Sequence, residues 1–233
     1  MTINSPNGTP RNILESFDLK KHFSIPINHA NTILNQINSG MYAKWFDGKS
    51  NLRCVDFGAN IGLVSLYMLP ACKDLYCVEP TPAHYKLLKE LLDSNGGSYI
   101  VQYCNNALHS SNEKVIFMTG HSTENKITSA DGYGSGKIEV QGISLSAYLS
   151  VSGADRDIID FVKCDIEGGE IFALTDEELK KTRGKIRTFF VECHPTNNYG
   201  MDACREELIK RFTNNGYTIE VVDYQTFVAS YAC

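Results

Sequence analysis

The stretch VDFGANIG, residues 55–62, decides how this chain is read. It lies where the apolar run LRCVDF (52–57) gives way to a second one, IGLVSLYML (61–69). The first run has the length of a buried strand and the second that of a buried helix, so Gly58 and Gly62 flank a strand-to-helix turn. Glycine at such a turn lets the backbone approach a ligand closely, and the helix N-terminus can receive a carboxylate or phosphate. The dinucleotide pattern G-x-G-x-x-G is missing, because Asn60 stands where its second glycine would be. A compact, amino-acid-like anion therefore suits the turn better than a pyrophosphate.

Outward from this turn, strand-like and helix-like runs alternate. DLYCVE (74–79) is a second short strand. A helix follows, capped by Thr81, with Pro82 in its first turn and Asn95-Gly96 at its end; Tyr85, Leu88, Leu91 and Leu92 form its apolar face. Further strands are expected at 99–104, 114–118 and 137–141, then at IIDFVKCD (158–165) and IRTFFVEC (186–193), with a helix-sized segment between the last two. Cys204, Leu208, Ile209 and Phe212 mark an amphipathic helix over 202–214. YTIEVV (217–222) and TFVASYA (226–232) are joined only by Asp223, Tyr224 and Gln225, which requires a hairpin. The pattern predicts an α/β fold: a mostly parallel sheet, helices on both faces, and an antiparallel C-terminal strand.

Residues 1–48 read as an N-terminal helical extension, with a helix near 27–40 docked by Trp45 and Phe46; residues 49–233 form the main domain. TGHSTENKITSADGYGSG (119–136) is long enough to be a lid, with Tyr133 as an acceptor contact and Tyr199 as a second aromatic candidate.

Composition limits the function classes. Twenty-two basic against 27 acidic residues give a net charge of −5, which argues against a nucleic-acid coat. An apolar fraction of 42% is enough for a real core. No membrane-length apolar run and no signal-peptide core are visible, so a cytoplasmic protein with no membrane span is expected. The eight cysteines include no C-x-x-C pair and read as reduced, small apolar filler.

In open parallel sheets, ligands bind beyond the carboxyl ends of the strands. That rule gathers Asp56–Gly62, Glu79, Asn105–Ala107, Asp165–Glu170 and Glu192–His194 at one rim. Glu79 ends the second strand, where a carboxylate can accept hydrogen bonds from both hydroxyls of a ribose. Asn106 and Ala107 end the third, where an adenine edge would lie.

VDFGANIG (55–62), VEPTP (78–82), NNALHSSN (105–112), VKCDIEGGE (162–170) and VECH (191–194) together resemble the ordered motifs of FkbM-type methyltransferases. The resemblance spans roughly residues 50–195. It implies a seven-stranded Rossmann-like sheet, S-adenosyl-L-methionine as cofactor, and methylation of hydroxyls on sugars, glycans or small natural products. It also implies that Asp56, Gly58, Asn60 and Gly62 hold the methionine half, Glu79 the ribose, and Asn106 or Ala107 the adenine.

At the acceptor end, Lys163 and Asp165 share one strand face, as do Glu192 and His194. Glu167 and Glu170 follow in the DIEGGE turn. His194 or Asp165 is expected to take the acceptor's proton, with Glu192 orienting the histidine or the acceptor, Lys163 counted with them in the catalytic group and Asp165 also beside the cofactor's methyl group. An ion-pair and capping network is the structural alternative, with Lys163 neutralising Asp165; the same groups also suit magnesium or manganese. The other five histidines are expected at the surface or in packing. Two competing functions stay open: a non-catalytic cofactor-binding subunit and a nicotinamide-dependent oxidoreductase. The oligomeric state is not legible.

Overall fold

The computed structural model describes residues 2–4, 10–12, 27–95, 99–119, 126–127 and 136–232. Most of the 119–136 loop, with Tyr133, lies outside them, as do Gly96 and Cys233.

Two short strands, β1 (Thr2–Asn4) and β2 (Pro10–Asn12), pair antiparallel at the N-terminus. The main sheet has seven strands: β3 (Leu52–Phe57), β4 (Cys72–Val78), β5 (Ile100–Cys104), β10 (Phe161–Cys164), β11 (Thr188–Glu192), β12 (Thr218–Val221) and β13 (Thr226–Ser230). Their spatial order is β12-β13-β11-β10-β3-β4-β5. β13 runs antiparallel to both its neighbours, and the remaining pairings are parallel. The strand order turns back at β3 and β10, which places the crevice of this sheet beyond their carboxyl ends. A smaller sheet of β6 (Ala107–Leu108), β7 (Lys114–Thr119), β8 (Lys126–Ile127) and β9 (Gly136–Ile143) follows β5.

The helices are α1 (Ile27–Asn38), α2 (Ala43–Phe46), α3 (Leu63–Met68), α4 (Pro82–Asn95), α5 (Leu145–Ser152), α6 (Glu170–Ala173), α7 (Asp176–Lys181) and α8 (Met201–Asn214). Side-chain alternation along the strands divides the interior into two layers. Cys54, Phe161, Phe190 and Val228 face the layer closed by α1 to α4. Their strand neighbours Val55, Val162, Phe189 and Phe227 face the layer closed by α5, α7 and α8. Of the seven described cysteines, all free thiols, those at 54, 72, 77, 164, 193 and 204 are buried, in keeping with an apolar filling role, and Cys104 is half-buried.

From Ala30 to Phe46 the N-terminal extension is built into this core. Ala30, Leu34 and Ile37 recur at helical spacing on α1 and are buried with Leu63, Leu66 and Leu88. Phe46 is fully buried, its ring 4.8 Å from that of Phe161 and 6.1 Å from that of Tyr67, both edge-on. Trp45 packs beside it, edge-on to Phe190. No helix among the described residues is long and apolar enough to cross a membrane.

Replacing Phe46 by alanine leaves a cavity where the extension meets the sheet. Phe46→Ala should lower the unfolding free energy by about 3–5 kcal/mol in denaturant titration. A loss below about 1 kcal/mol, within the range of ordinary surface substitutions, would show that the extension is dispensable to the core.

Candidate active site

A cleft of about 440 Å³ opens at the carboxyl ends of the parallel strands. That is room for a nucleoside-sized molecule. One end is built by the turn between β3 and α3. Gly58 has φ of +75°, and a Cβ there would stand 1.8 Å from the Asp165 carbonyl oxygen, so no other residue fits. Gly62 has φ of +90° and passes close to Leu88 of α4. Between them Asn60 also adopts the left-handed conformation, at φ +51°. The amides of Gly58 and Ala59 both donate to the Val78 carbonyl at 3.0 Å, stitching the turn to the end of β4.

Glu79 follows directly on that strand end and is 4% exposed. One carboxylate oxygen accepts from the Asn60 amide at 2.9 Å, the other from the Thr81 amide at 2.8 Å. The carboxylate is thereby fixed with its remaining lone pairs toward the cleft it lines. Burial pushes its pKa up to about 7, against the pull of the Thr81 and Asn60 bonds. Asn105 ties the next strand in by donating to the carbonyls of Glu79 and Pro80. Asn106 and Ala107 line the cleft beyond it. His84, expected to be a surface or packing residue, lines the cleft too, 3.7 Å from Glu79. It sits one turn into α4, so helix geometry turns it back toward the strand end.

Asp56 and Gly62 do not line the cleft. Asp56 is fully buried below the turn. It accepts from Ser65 Oγ at 2.5 Å and lies 3.4 Å from Lys163 Nζ, its partner in the β3–β10 register. Lys163 also lies 3.2 Å from Asp165 and donates to the Gly58 carbonyl at 3.3 Å. Burial works against its charge, but Asp165 and Asp56 outweigh it and hold the ammonium protonated. Lys163 is thus a counter-ion to two acids, the neutralising role raised from the sequence.

The other end of the cleft holds Asp165, Glu167, Glu192 and His194. Glu167, at φ +55°, and Gly168, at φ +97°, bend the DIEGGE loop into α6. Glu170 is fully buried and holds this bend by accepting from the amides of Ile166 (2.8 Å) and Gly168 (2.9 Å). It also lies 3.1 Å from His194 Nδ1. His194 Nε2 faces Glu167 at 3.6 Å, Asp165 at 3.8 Å and Glu192 at 3.9 Å. Burial lowers the imidazole pKa, but the Glu170 hydrogen bond and the charges of Glu170, Asp165 and Glu167 raise it to about 10. Asp165, Glu170 and His194 bring ligand-type atoms within 4.8 Å of one another. With Glu170 committed to two amides and the imidazole, the group forms an ion-pair and capping network.

Glu192 is 6% exposed, and burial together with the Asp165 charge pushes its pKa up to about 7. The β12–β13 hairpin reaches it: Asp223 accepts from the amides of Gln225 and Thr226, and Gln225 Nε2 donates to Glu192 Oε1. Sequence reading passed over Gln225, Tyr224, Tyr42 and the α1 residues Thr32, Ile33 and Gln36, all of which line the cleft. Thr32, Ile33 and Gln36 share one flank of α1 beside its apolar stripe, a spacing that carries no chemical signal of its own.

Glu79, Glu192 and His194 all bind their protons more tightly in the native chain than when unfolded. Stability due to the two glutamates is lost as pH rises from about 4.5 to 7, and that due to His194 as pH rises from about 6.5 to 10. The ligand-free protein should therefore melt at a lower temperature at pH 9 than at pH 6 in scanning calorimetry. A higher melting temperature at pH 9 would contradict the native environments described for these groups.

The family model described as Methyltransferase FkbM domain matches residues 56–219. No curated protein matches the chain. Among solved structures, magnesium protoporphyrin IX methyltransferase from Synechocystis PCC 6803, with bound S-adenosylmethionine, is 12% identical at a TM-score of 0.48, covering 88% of this chain and 81% of that one. Precorrin-6y C5,15-methyltransferase from Geobacter metallireducens GS-15 is 11% identical at 0.47, covering 79% and 82%. The N-terminal domain of EvdMO1, in the presence of S-adenosylhomocysteine and D-fucose, is 13% identical at 0.46, covering 84% and 82%. With the family model matched from the end of β3 into β12, over well more than half of its length, this chain belongs to the FkbM methyltransferase family and is an S-adenosylmethionine-dependent methyltransferase.

Proposed function

We propose that the protein methylates a hydroxyl of an uncharged acceptor, a sugar, glycan or small natural product, with Glu192 as the proton acceptor. The observation that carries this reading is the pairing of two groups at the acceptor end. Glu192 is a buried carboxylate held near neutrality, and His194 beside it is held protonated by surrounding acids. A general base works best with a pKa near the operating pH, which suits Glu192 and removes His194 from that role. His194 instead acts as a fixed positive charge that steadies Asp165, Glu167 and Glu192.

The residues present fit the family's cofactor. The Glu79 carboxylate, pinned by two amides, suits the ribose hydroxyls. The glycine turn, Asn60 and Asp165 suit the methionine half, and Asn106 and Ala107 suit the adenine. Asp56 and Gly62 support that half from behind, by fixing Lys163 and the path of the turn. When bound, S-adenosylmethionine supplies a methyl group whose bond to sulfur breaks as the bond to the acceptor oxygen forms. Glu192 holds the proton released from that oxygen. Walls of this kind exclude water and align the reactants, which is worth several kcal/mol in a displacement.

The basic side chains lining the cleft, among the described residues, are Lys163, His84 and His194. Lys163 and His194 are committed to acids, and His84 faces Glu79. That set offers a phosphate or carboxylate on the acceptor poor support, which favours an uncharged acceptor.

Two experiments test this reading. Glu79→Ala should weaken S-adenosylhomocysteine binding by roughly 10–150-fold in calorimetry, for a charge-assisted contact worth about 1.5–3 kcal/mol; unchanged affinity would remove Glu79 from the ribose. Incubation with labelled donor and a panel of glycosides and polyhydroxylated compounds should give O-methyl products. Glu192→Gln should then cut turnover by about 10²–10⁴-fold while affinity for S-adenosylhomocysteine, neutral at sulfur, stays within about twofold. Full turnover in that variant, or methyl transfer to nitrogen alone, would overturn the assignment.

A further inference from the structure

We propose that Tyr42, Asp165 and Glu192 form an oxygen-lined cradle for positive charge in the cleft, which makes the protein hold its cationic methyl donor more tightly than the neutral thioether left after transfer. The proposal rests on the methyltransferase reading above and extends it to product release.

Tyr42 supplies the first observation. It lies between α1 and α2, ahead of the family-matched segment, and is 1% exposed. Its ring is 4.9 Å from that of Phe190 and 6.3 Å from that of Tyr67, so packing fixes its direction. The side chain lines the cleft, and its hydroxyl is close enough to Lys163, Asp165, Glu192 and Asp56 to feel their charges. Among the described residues that hydroxyl makes no hydrogen bond. The hydroxyl oxygen therefore keeps its acceptor lone pairs open to whatever occupies the cleft.

Glu192 supplies the second. Its Oε1 accepts from Gln225, while Oε2 takes no hydrogen bond among the described residues and belongs to a side chain that lines the cleft. Asp165 lines the same wall, with one oxygen toward Lys163 and the other toward His194.

The charge balance is the third. Asp56, Asp165, Glu167, Glu170 and Glu192 gather here against two cations, Lys163 and His194, both already committed to acids. Charges in a water-poor cleft act with a lower effective dielectric than in bulk solvent. A cation entering this end is attracted, and it also draws Glu192 into its ionised form. The sulfonium of the donor carries such a charge and the thioether product does not. Once the methyl group has gone, the attraction that held the donor has gone with it.

Calorimetry on the full chain tests this without an acceptor. The probes are S-adenosylhomocysteine, which is neutral at sulfur, and sinefungin, which carries an amine in place of the methyl-bearing sulfonium. Sinefungin should bind roughly tenfold or more tightly than S-adenosylhomocysteine at low salt, and the margin should shrink as salt is raised. Tyr42→Phe keeps the ring packing and removes only the hydroxyl; it should reduce the margin severalfold by weakening sinefungin more than S-adenosylhomocysteine. Equal affinities, or tighter binding of S-adenosylhomocysteine, would overturn the cradle while leaving the cofactor reading intact. A margin unchanged in Tyr42→Phe would take Tyr42 out of it. If neither compound binds, the cofactor reading itself fails and the cradle falls with it.

Discussion

The rest of the site depends on one buried cation. Lys163 Nζ lies between Asp56 and Asp165 and donates to the Gly58 carbonyl. It thereby joins the two central strands, the glycine turn and the start of the DIEGGE loop at a single point. Neither acid could be left there alone, since breaking a buried pair by removing one partner typically costs about 3–5 kcal/mol. The β3–β10 register sets the group up, because Lys163 and Asp56 are direct neighbours across the parallel ladder. Gly58 completes it, for only a residue without a side chain can pass the Asp165 carbonyl.

A second constraint of the same type shapes the end of the cleft at the DIEGGE loop. Glu170 folds its own loop by accepting amides from Ile166 and Gly168, and with one of the same oxygens it anchors His194. The histidine is then surrounded by carboxylates and keeps its proton. In the proposed mechanism the general-base role therefore passes to Glu192 for an electrostatic reason, although histidine has the better intrinsic pKa for it. Residue type alone would assign the two roles the other way round.

What was legible in the sequence is what depends on neighbours along the chain. The strand-to-helix turn, Glu79 at its strand end, and the hairpin forced by Asp223–Gln225 are local, and each is found where the pattern puts it. Asp56 shows the limit of such reading. Its place in the turn motif suggests a ligand contact, but strand parity points its side chain into the buried charge group. Tyr42, His84, Gln36 and Gln225 reach the cleft only through tertiary packing. Nothing in their immediate sequence distinguishes them from ordinary helix and loop residues.

The extension ahead of the glycine turn makes this division of labour concrete. One face of α1, through Ala30, Leu34 and Ile37, closes a core layer, while Thr32, Ile33 and Gln36 form a wall of the cleft. Phe46 and Trp45 lock the following turn against Phe161 and Phe190, and that lock holds Tyr42 over the reactive wall. The family-matched segment supplies the glycine turn and the charged groups, whereas a segment outside it adds Thr32, Ile33, Gln36 and Tyr42 to the cleft wall. The glycine turn is fixed by backbone geometry that tolerates little change, as Gly58 illustrates. Thr32 and Gln36 on that wall are exposed and half-buried, while Ala30, Leu34 and Ile37 make the core contacts of the helix, so those two positions can vary without unsettling the fold.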